Sequence, residues 1–250
     1  MNVALAVVAL PPALALGSFL NVVAARLPEG RSLVSPPSSC GGCGTRIAWR
    51  DNVPVLSYLL LRGRCRSCSA RFSPRYLVVE LLTAALVAAC FLRFGLTADA
   101  FVAALFCSVL VVLSAIDVEH RILPDKIVLP SAAVVLAAQL ALHPGQSVEW
   151  VAASLGASLF LFLALLAYPR GMGMGDVKLC LLLGAMLGWN VAVALMLGML
   201  AALVPAVVLL ARHGAAARKM GIPFGPFLAF GAVVALFAGD RLLDAYLGTF

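Results

Sequence analysis

Gly171-Met172-Gly173-Met174-Gly175-Asp176-Val177-Lys178 stands at the mouth of an apolar run that continues to residue 211, broken only by Lys178 and Asn190. The 35 residues from 177 to 211 are too many for one ordinary membrane span of about 20 and few for two. Gly188-Trp189-Asn190 is the expected break, because Trp favours the membrane interface. It leaves a short helix followed by one of normal length. The alternating glycines ahead of the run allow the backbone to bend closely around another chain. An acid at this depth costs about 2.5 to 3.5 kcal/mol on insertion scales. Asp176 therefore either rests among the headgroups or faces a watery cavity where it has work to do.

The composition around this stretch belongs to a membrane protein. Of the 250 residues 63% are hydrophobic and 12% charged, and the mean hydropathy is +1.06. Apolar runs at residues 2–25, 77–92, 101–116, 127–142, 150–168, on either side of the Gly188 break, and at 224–238 predict an all-α polytopic fold of about eight transmembrane helices. The markedly polar block is residues 27–76, with five prolines and two cysteine pairs. It reads as a small loop-rich module after the first helix. The expected division is thus residues 1–26 as a first helix, 27–76 as the module and 77–250 as the membrane-embedded remainder.

The basic residues set the orientation. No basic residue precedes the first span and Arg26 follows it, so it reads as an uncleaved helix with its N-terminus outside. Eight spans then place 16 of the 18 Lys and Arg residues on the inner side, including Arg170, Arg218 and Lys219, with Arg93 and Arg241 outside. The net charge of +7 is accounted for by topology, and a nucleic-acid partner is not expected. On this topology the cysteine module is cytoplasmic.

Asp117, at the end of the third span, and Asp176, at the start of the sixth, come to similar depth at the inner membrane edge. Two carboxylates that meet in a partly desolvated place share a proton, and such a pair can activate water while protonating a carbonyl. Two unrelated interfacial acids fit the depth equally well. The sequence lacks His-Glu-x-x-His and Gly-x-Ser-x-Gly, so zinc-dependent or serine proteolysis within the membrane is without its parts. Glu80, inside the second span, either pairs with a nearby arginine such as Arg75 or faces the working cavity. Asp125, after Pro124, reads as a cap of the fourth helix.

Cys40-Gly-Gly-Cys43 and Cys65-Arg-Ser-Cys68 are two Cys-x2-Cys pairs separated by 21 residues, close to a four-thiolate zinc pattern. Disulfides are the rival, but cytoplasmic thiols stay reduced. Zinc on Cys40, Cys43, Cys65 and Cys68 is the favoured reading, and its first role is to fold a block too small to fold alone. Cys90, Cys107 and Cys180 lie singly in spans and read as packing residues.

These parts in this order resemble the type IV prepilin peptidases, membrane aspartic proteases that process pilin-like and type II secretion pseudopilin precursors. The resemblance rests on Gly17-Ser18-Phe19-Leu20-Asn21 with Arg26-Leu27-Pro28, the cysteine pairs, Asp51-Asn52-Val53-Pro54-Val55-Leu56-Ser57-Tyr58, Ser73-Pro74-Arg75-Tyr76 with Val79-Glu80, residues 117–125, residues 171–178, and Ile222-Pro223-Phe224-Gly225-Pro226. It covers nearly the whole chain. It implies that Asp117 and Asp176 are the two catalytic aspartates. It further implies cleavage after the glycine that ends a short basic leader, at the cytoplasmic face of a bacterial inner membrane. The partners would be prepilin or pseudopilin precursors and the lipid bilayer. Many members of that family also methylate the new N-terminus with S-adenosylmethionine, an activity linked with the cytoplasmic module. No glycine-rich dinucleotide fingerprint is present, so the methyl donor enters through the resemblance alone and its binding residues are not read. An ion or proton transporter using the carboxylates, or a zinc-module scaffold without catalysis, are the competing classes.

Overall fold

The computed structural model describes residues 2–168, 172–214 and 221–248, apart from the side chains of residues 246 and 247. Arg170, Gly171, Arg218 and Lys219 lie outside the described residues. Among those described, the fold is helical and no strand forms beyond the two isolated bridges Ser39–Arg46 and Arg64–Arg71. The helices are α1 (Asn2–Arg26), the short α2 (Leu56–Leu60), α3 (Arg75–Phe94), α4 (Ala98–His120), α5 (Asp125–Leu142), α6 (Ser147–Ala167), α7 (Met174–Leu187), α8 (Val191–His213) and α9 (Gly225–Leu247).

Among the described residues, seven helical segments are long and apolar enough to cross a membrane. The sixth of them, Met174–His213, is 40 residues long and is broken by the tight turn Gly188–Asn190 into α7 and α8. The break falls where the sequence reading puts it, and it yields the eighth helix of that reading. Gly188 has φ 55, a conformation suited to glycine. Trp189 N–H donates to Glu149 Oε1 at 3.3 Å, which satisfies one donor left open by the turn.

The chain divides into two compact units, Met1–Val112 and Leu113–Phe250. In the first, α1 packs along α3. Gly17 allows this, since a Cβ there would lie 2.8 Å from Glu80 Cα and 3.3 Å from Thr83 Cβ. Ala13, Ala84, Val87, Phe91 and Ala100 form a core beside this contact, and the Phe91 and Phe101 rings meet edge to face with centroids 5.2 Å apart.

In the second unit α7 is the central element. It packs on α5 and α6, while α8 packs on α9. Gly184 lies against the backbone of Ala153 and Ser154 on α6, and Ser154 Oγ donates to Leu181 O at 2.8 Å. Ser158 Oγ adds a bond of 3.0 Å to Val177 O, and Gln139 Nε2 on α5 one of 3.4 Å to Met186 O. Small residues and side-chain donors replace the hydrophobic drive that is weak between helices in lipid. This packing fixes the start of α7, where Asp176 sits.

Helix ends differ from the sequence reading in one informative way. The third span, read as residues 101–116, extends further as α4, which runs through Asp117 to His120. Arg121 ends it with φ 55, donating its N–H to Asp117 O at 2.9 Å.

Candidate active site

Asp117 and Asp176 are both in the second unit, and their side chains are brought there from opposite ends of helices. Asp117 occupies the last turn of α4 and Asp176 the first turn of α7, and both are buried. Asp176 is within electrostatic reach of Asp117. Each is held by a glycine amide. Gly173 N–H donates to Asp176 Oδ2 at 3.2 Å, while Asp176 N–H returns to Gly173 O at 3.1 Å, a reciprocal bond that closes the start of α7. Gly225 N–H, at the start of α9, donates to Asp117 Oδ2 at 2.9 Å. The free N–H groups at helix starts make such amides available.

Leu123 packs between these elements. A Cβ on Gly175 would come within 3.0 Å of Leu123 Cβ, and one on Gly225 within 3.3 Å of Leu123 Cδ2 and 2.8 Å of Asp117 Oδ2. The glycines therefore let two helix starts and the α4–α5 connector close on the two acids. Sequence reasoning took Ile222-Pro223-Phe224-Gly225-Pro226 as one motif of the resemblance and missed this use of Gly225. A glycine ahead of a proline at a helix start, with an open N–H, was the available signal.

Asp125 does not cap α5. The capping position is Pro124, which makes no side-chain bond, and Asp125 instead forms a 2.7 Å ion pair with Lys178 Nζ. A proline directly before the acid takes the cap position and leaves the carboxylate to find a cation.

In the first unit the two Cys-x2-Cys segments form matching knuckles. Cys40 N–H donates to Thr45 O and Gly44 N–H to Cys40 O, and in parallel Cys65 N–H donates to Ala70 O and Ser69 N–H to Cys65 O. The four sulfurs lie within 4.8 Å of one another, with Cys40 Sγ and Cys68 Sγ 3.7 Å apart. A tetrahedral zinc with bonds of about 2.3 Å needs sulfurs about 3.8 Å apart, so the set fits that ion. Its hydrogen bond with Thr45 pushes the Cys43 thiol down to about 6. Although the Ala70 amide favours its thiolate, the neighbouring sulfurs, Cys43 first, push Cys68 up to about 12. Four thiolates this close need a cation between them. Beside the knuckles Arg66 forks onto Asp51, with Nη2 2.6 Å from Oδ1, and holds that carboxyl below its usual range.

Glu80 is buried and faces a cavity of about 680 Å3 in the first unit. Its Oε2 accepts the N–H of Val55 at 2.7 Å, and Val55 takes φ 61, rare for a branched residue, to deliver it.

Two family models match the chain. "Bacterial Peptidase A24 N-terminal domain" covers residues 12–94, and "Type IV leader peptidase family" covers residues 104–211. Among curated proteins, the "Prepilin leader peptidase/N-methyltransferase" of Bacillus subtilis is 35% identical over 94% of this chain and 94% of its own length. Proteins with the same name from Pseudomonas aeruginosa and Myxococcus xanthus are 37% and 40% identical, over 94% and 82% of this chain and 90% and 63% of their own lengths. No solved structure matches. With two relatives above the level at which descent is plain and aligned nearly end to end, this chain belongs to the type IV leader peptidase family.

Proposed function

We propose that this protein is a bacterial inner-membrane aspartic endopeptidase that removes the short leader of type IV prepilins and pseudopilins after a glycine. Cleavage takes place at the cytoplasmic face, and the new N-terminus is then methylated with S-adenosylmethionine. The observation that carries the peptidase reading is the burial of Asp117 and Asp176 within electrostatic reach of each other, each oriented by one glycine amide. The membrane-embedded part, residues 77–250, is the peptidase, and residues 27–76 are the cytoplasmic module linked with methyl transfer.

One aspartate is ionised and the other protonated, and they hold a water between them. The ionised acid takes a proton from the water as its oxygen attacks the glycyl carbonyl carbon, and the other donates its proton to the carbonyl oxygen. As the tetrahedral intermediate collapses, the carbon–nitrogen bond breaks and the leaving amine takes a proton back from the pair. No covalent enzyme intermediate forms. The two acids titrate as a unit, so the roles belong to the pair. The bonds to Gly225 and Gly173 keep both carboxylates aimed while the precursor's apolar helix stays in the bilayer.

Cys40, Cys43, Cys65 and Cys68 hold zinc, which supplies the cross-link that folds residues 27–76. The test is to follow a prepilin-like substrate with purified protein in detergent. Asp117→Asn and Asp176→Asn each abolish the cut and leave zinc content and folding unchanged. Robust cleavage by either variant removes the assignment.

A further inference from the structure

Methyl transfer to a new N-terminus requires a place that holds an amine beside a methyl donor. The cavity of about 680 Å3 in the first unit is of the size that takes small molecules, about 300 to 1,000 Å3. Three buried polar side chains line it, Glu80 at 8% exposure, Ser57 at 7% and Asn21 at 3%, and Ser57 already has its partners in Arg50 O and Val53 N–H. Gly17 brings α1 against the backbone of Glu80, and Ser18, next in sequence, lines the same cavity. Asn21 is one turn further along α1. Its Nδ2 donates to Tyr76 O at 3.0 Å, which fixes which way the amide faces. Its Oδ1 is buried without a hydrogen-bond partner.

A buried acceptor without a donor is costly, so this cavity is suited to a ligand that brings N–H groups. A sulfonium brings none and a carboxylate brings none, whereas an ammonium does, on the α-amine of a peptide and equally on the amino-acid part of the methyl donor. A primary ammonium brings three, and its charge matches Glu80. Arg26 and Arg31 also line the cavity and would oppose a cation near them, but they suit the carboxylate of an amino-acid methyl donor.

Building on the methyltransferase part of the proposed function, we propose that Glu80 and Asn21 bind the α-amine of the newly cut chain, and that Glu80 takes the proton this amine must lose. The freed nitrogen lone pair attacks the methyl carbon of the sulfonium donor. The nitrogen–carbon bond forms, the carbon–sulfur bond breaks, and its electron pair stays on sulfur as a neutral thioether. The proton leaves the Glu80 carboxylate through the open side of the cavity.

The test uses the full chain in detergent and two peptides with the sequence of a mature N-terminus, one with a free amine and one N-acetylated. The wild-type protein binds the free amine about tenfold or more tightly than the acetylated form, the effect of hydrogen bonds to a charged group. Glu80→Gln erases that preference and slows methyl transfer about 100-fold or more. Cleavage of the precursor, zinc content and binding of S-adenosylmethionine stay as in the wild type. Glutamine can still accept the Val55 N–H, so the turn is kept. If Glu80→Gln loses its zinc, Asn21→Ala is measured in its place and weakens the free amine alone. Equal binding of the two peptides by the wild type overturns the proposal, as does a variant that keeps the preference or loses the methyl donor instead. A wild-type protein that prefers the amine and never methylates it removes the methyltransferase reading and leaves the amine site standing.

Discussion

The N–H of Gly225 donates a 2.9 Å hydrogen bond to Asp117 Oδ2 across 108 positions of sequence. The same device holds the second acid, where Gly173 N–H meets Asp176 Oδ2 at 3.2 Å. Both acids thus take their orientation from helix-start amides, which do not titrate and do not change rotamer. An aspartate pair that must exchange a proton at each step benefits from donors that stay fixed while its charge moves.

Gly225→Ala tests this directly. The added Cβ would lie 2.8 Å from Asp117 Oδ2 and 3.3 Å from Leu123 Cδ2, so the carboxylate or the helix start must shift. Cleavage is expected to fall about 100-fold, as misplacements of about 1 Å do elsewhere. The substrate KM should change little. Steady-state kinetics on a prepilin-like substrate give the answer, and an unchanged kcat contradicts the role given to this amide.

Gly184→Val should act through stability. Gly184 lies against the Ala153 and Ser154 backbone, and a branched side chain there must push α6 from α7. Overpacking of this kind costs about 1 to 3 kcal/mol. Thermal unfolding in detergent should show a lowered midpoint, with residual cleavage in proportion to the folded fraction. No change in midpoint means that the two helices separate without cost.

The Lys178–Asp125 ion pair should matter little to stability despite its 2.7 Å length, because the two side chains are 31% and 55% exposed. Lys178→Met is expected to cost no more than about 1 kcal/mol, less at high salt. The midpoint of thermal unfolding at low and high salt checks this. A large, salt-independent loss would mean that the pair is closed to solvent.

Metal removal should act on the first unit. Elemental analysis is expected to find one zinc per chain, lost in Cys68→Ser and on treatment with a strong chelator at neutral pH. Without the ion, residues 27–76 keep little core of their own and limited proteolysis should cut there first. Equal protease resistance with and without metal would show that the knuckles fold unaided.

The parts of this fold that were legible in the sequence are those set by local composition. The spans could be read because lipid demands about 20 apolar residues in a row, and the break at Gly188-Trp189-Asn190 because that demand was exceeded. The knuckles could be read because four ligands in two tight turns come from adjacent residues. The place of Asp117 near the end of one long helix and of Asp176 at the start of another followed from the span ends. What pairs with those acids did not, since Gly225 is remote in sequence and acts through its backbone, which carries no side-chain signal. Asp125 was misread because local capping rules take no account of Lys178, 53 residues away. Glu80 was left between two readings because its partner, the Val55 amide, depends on a left-handed turn at a valine that no propensity suggests.

The central claim is that Asp117 and Asp176 cut the precursor together. The most direct measurement is the mass of the products when purified wild-type protein, Asp117→Asn and Asp176→Asn each meet a prepilin-like substrate in detergent. A single cut after the leader glycine by the wild type, and none by either variant at unchanged folding and zinc content, is the predicted result. A cut at that bond by either asparagine variant, at a rate within about tenfold of wild type, would contradict it, since loss of an acid–base group costs at least about 100-fold.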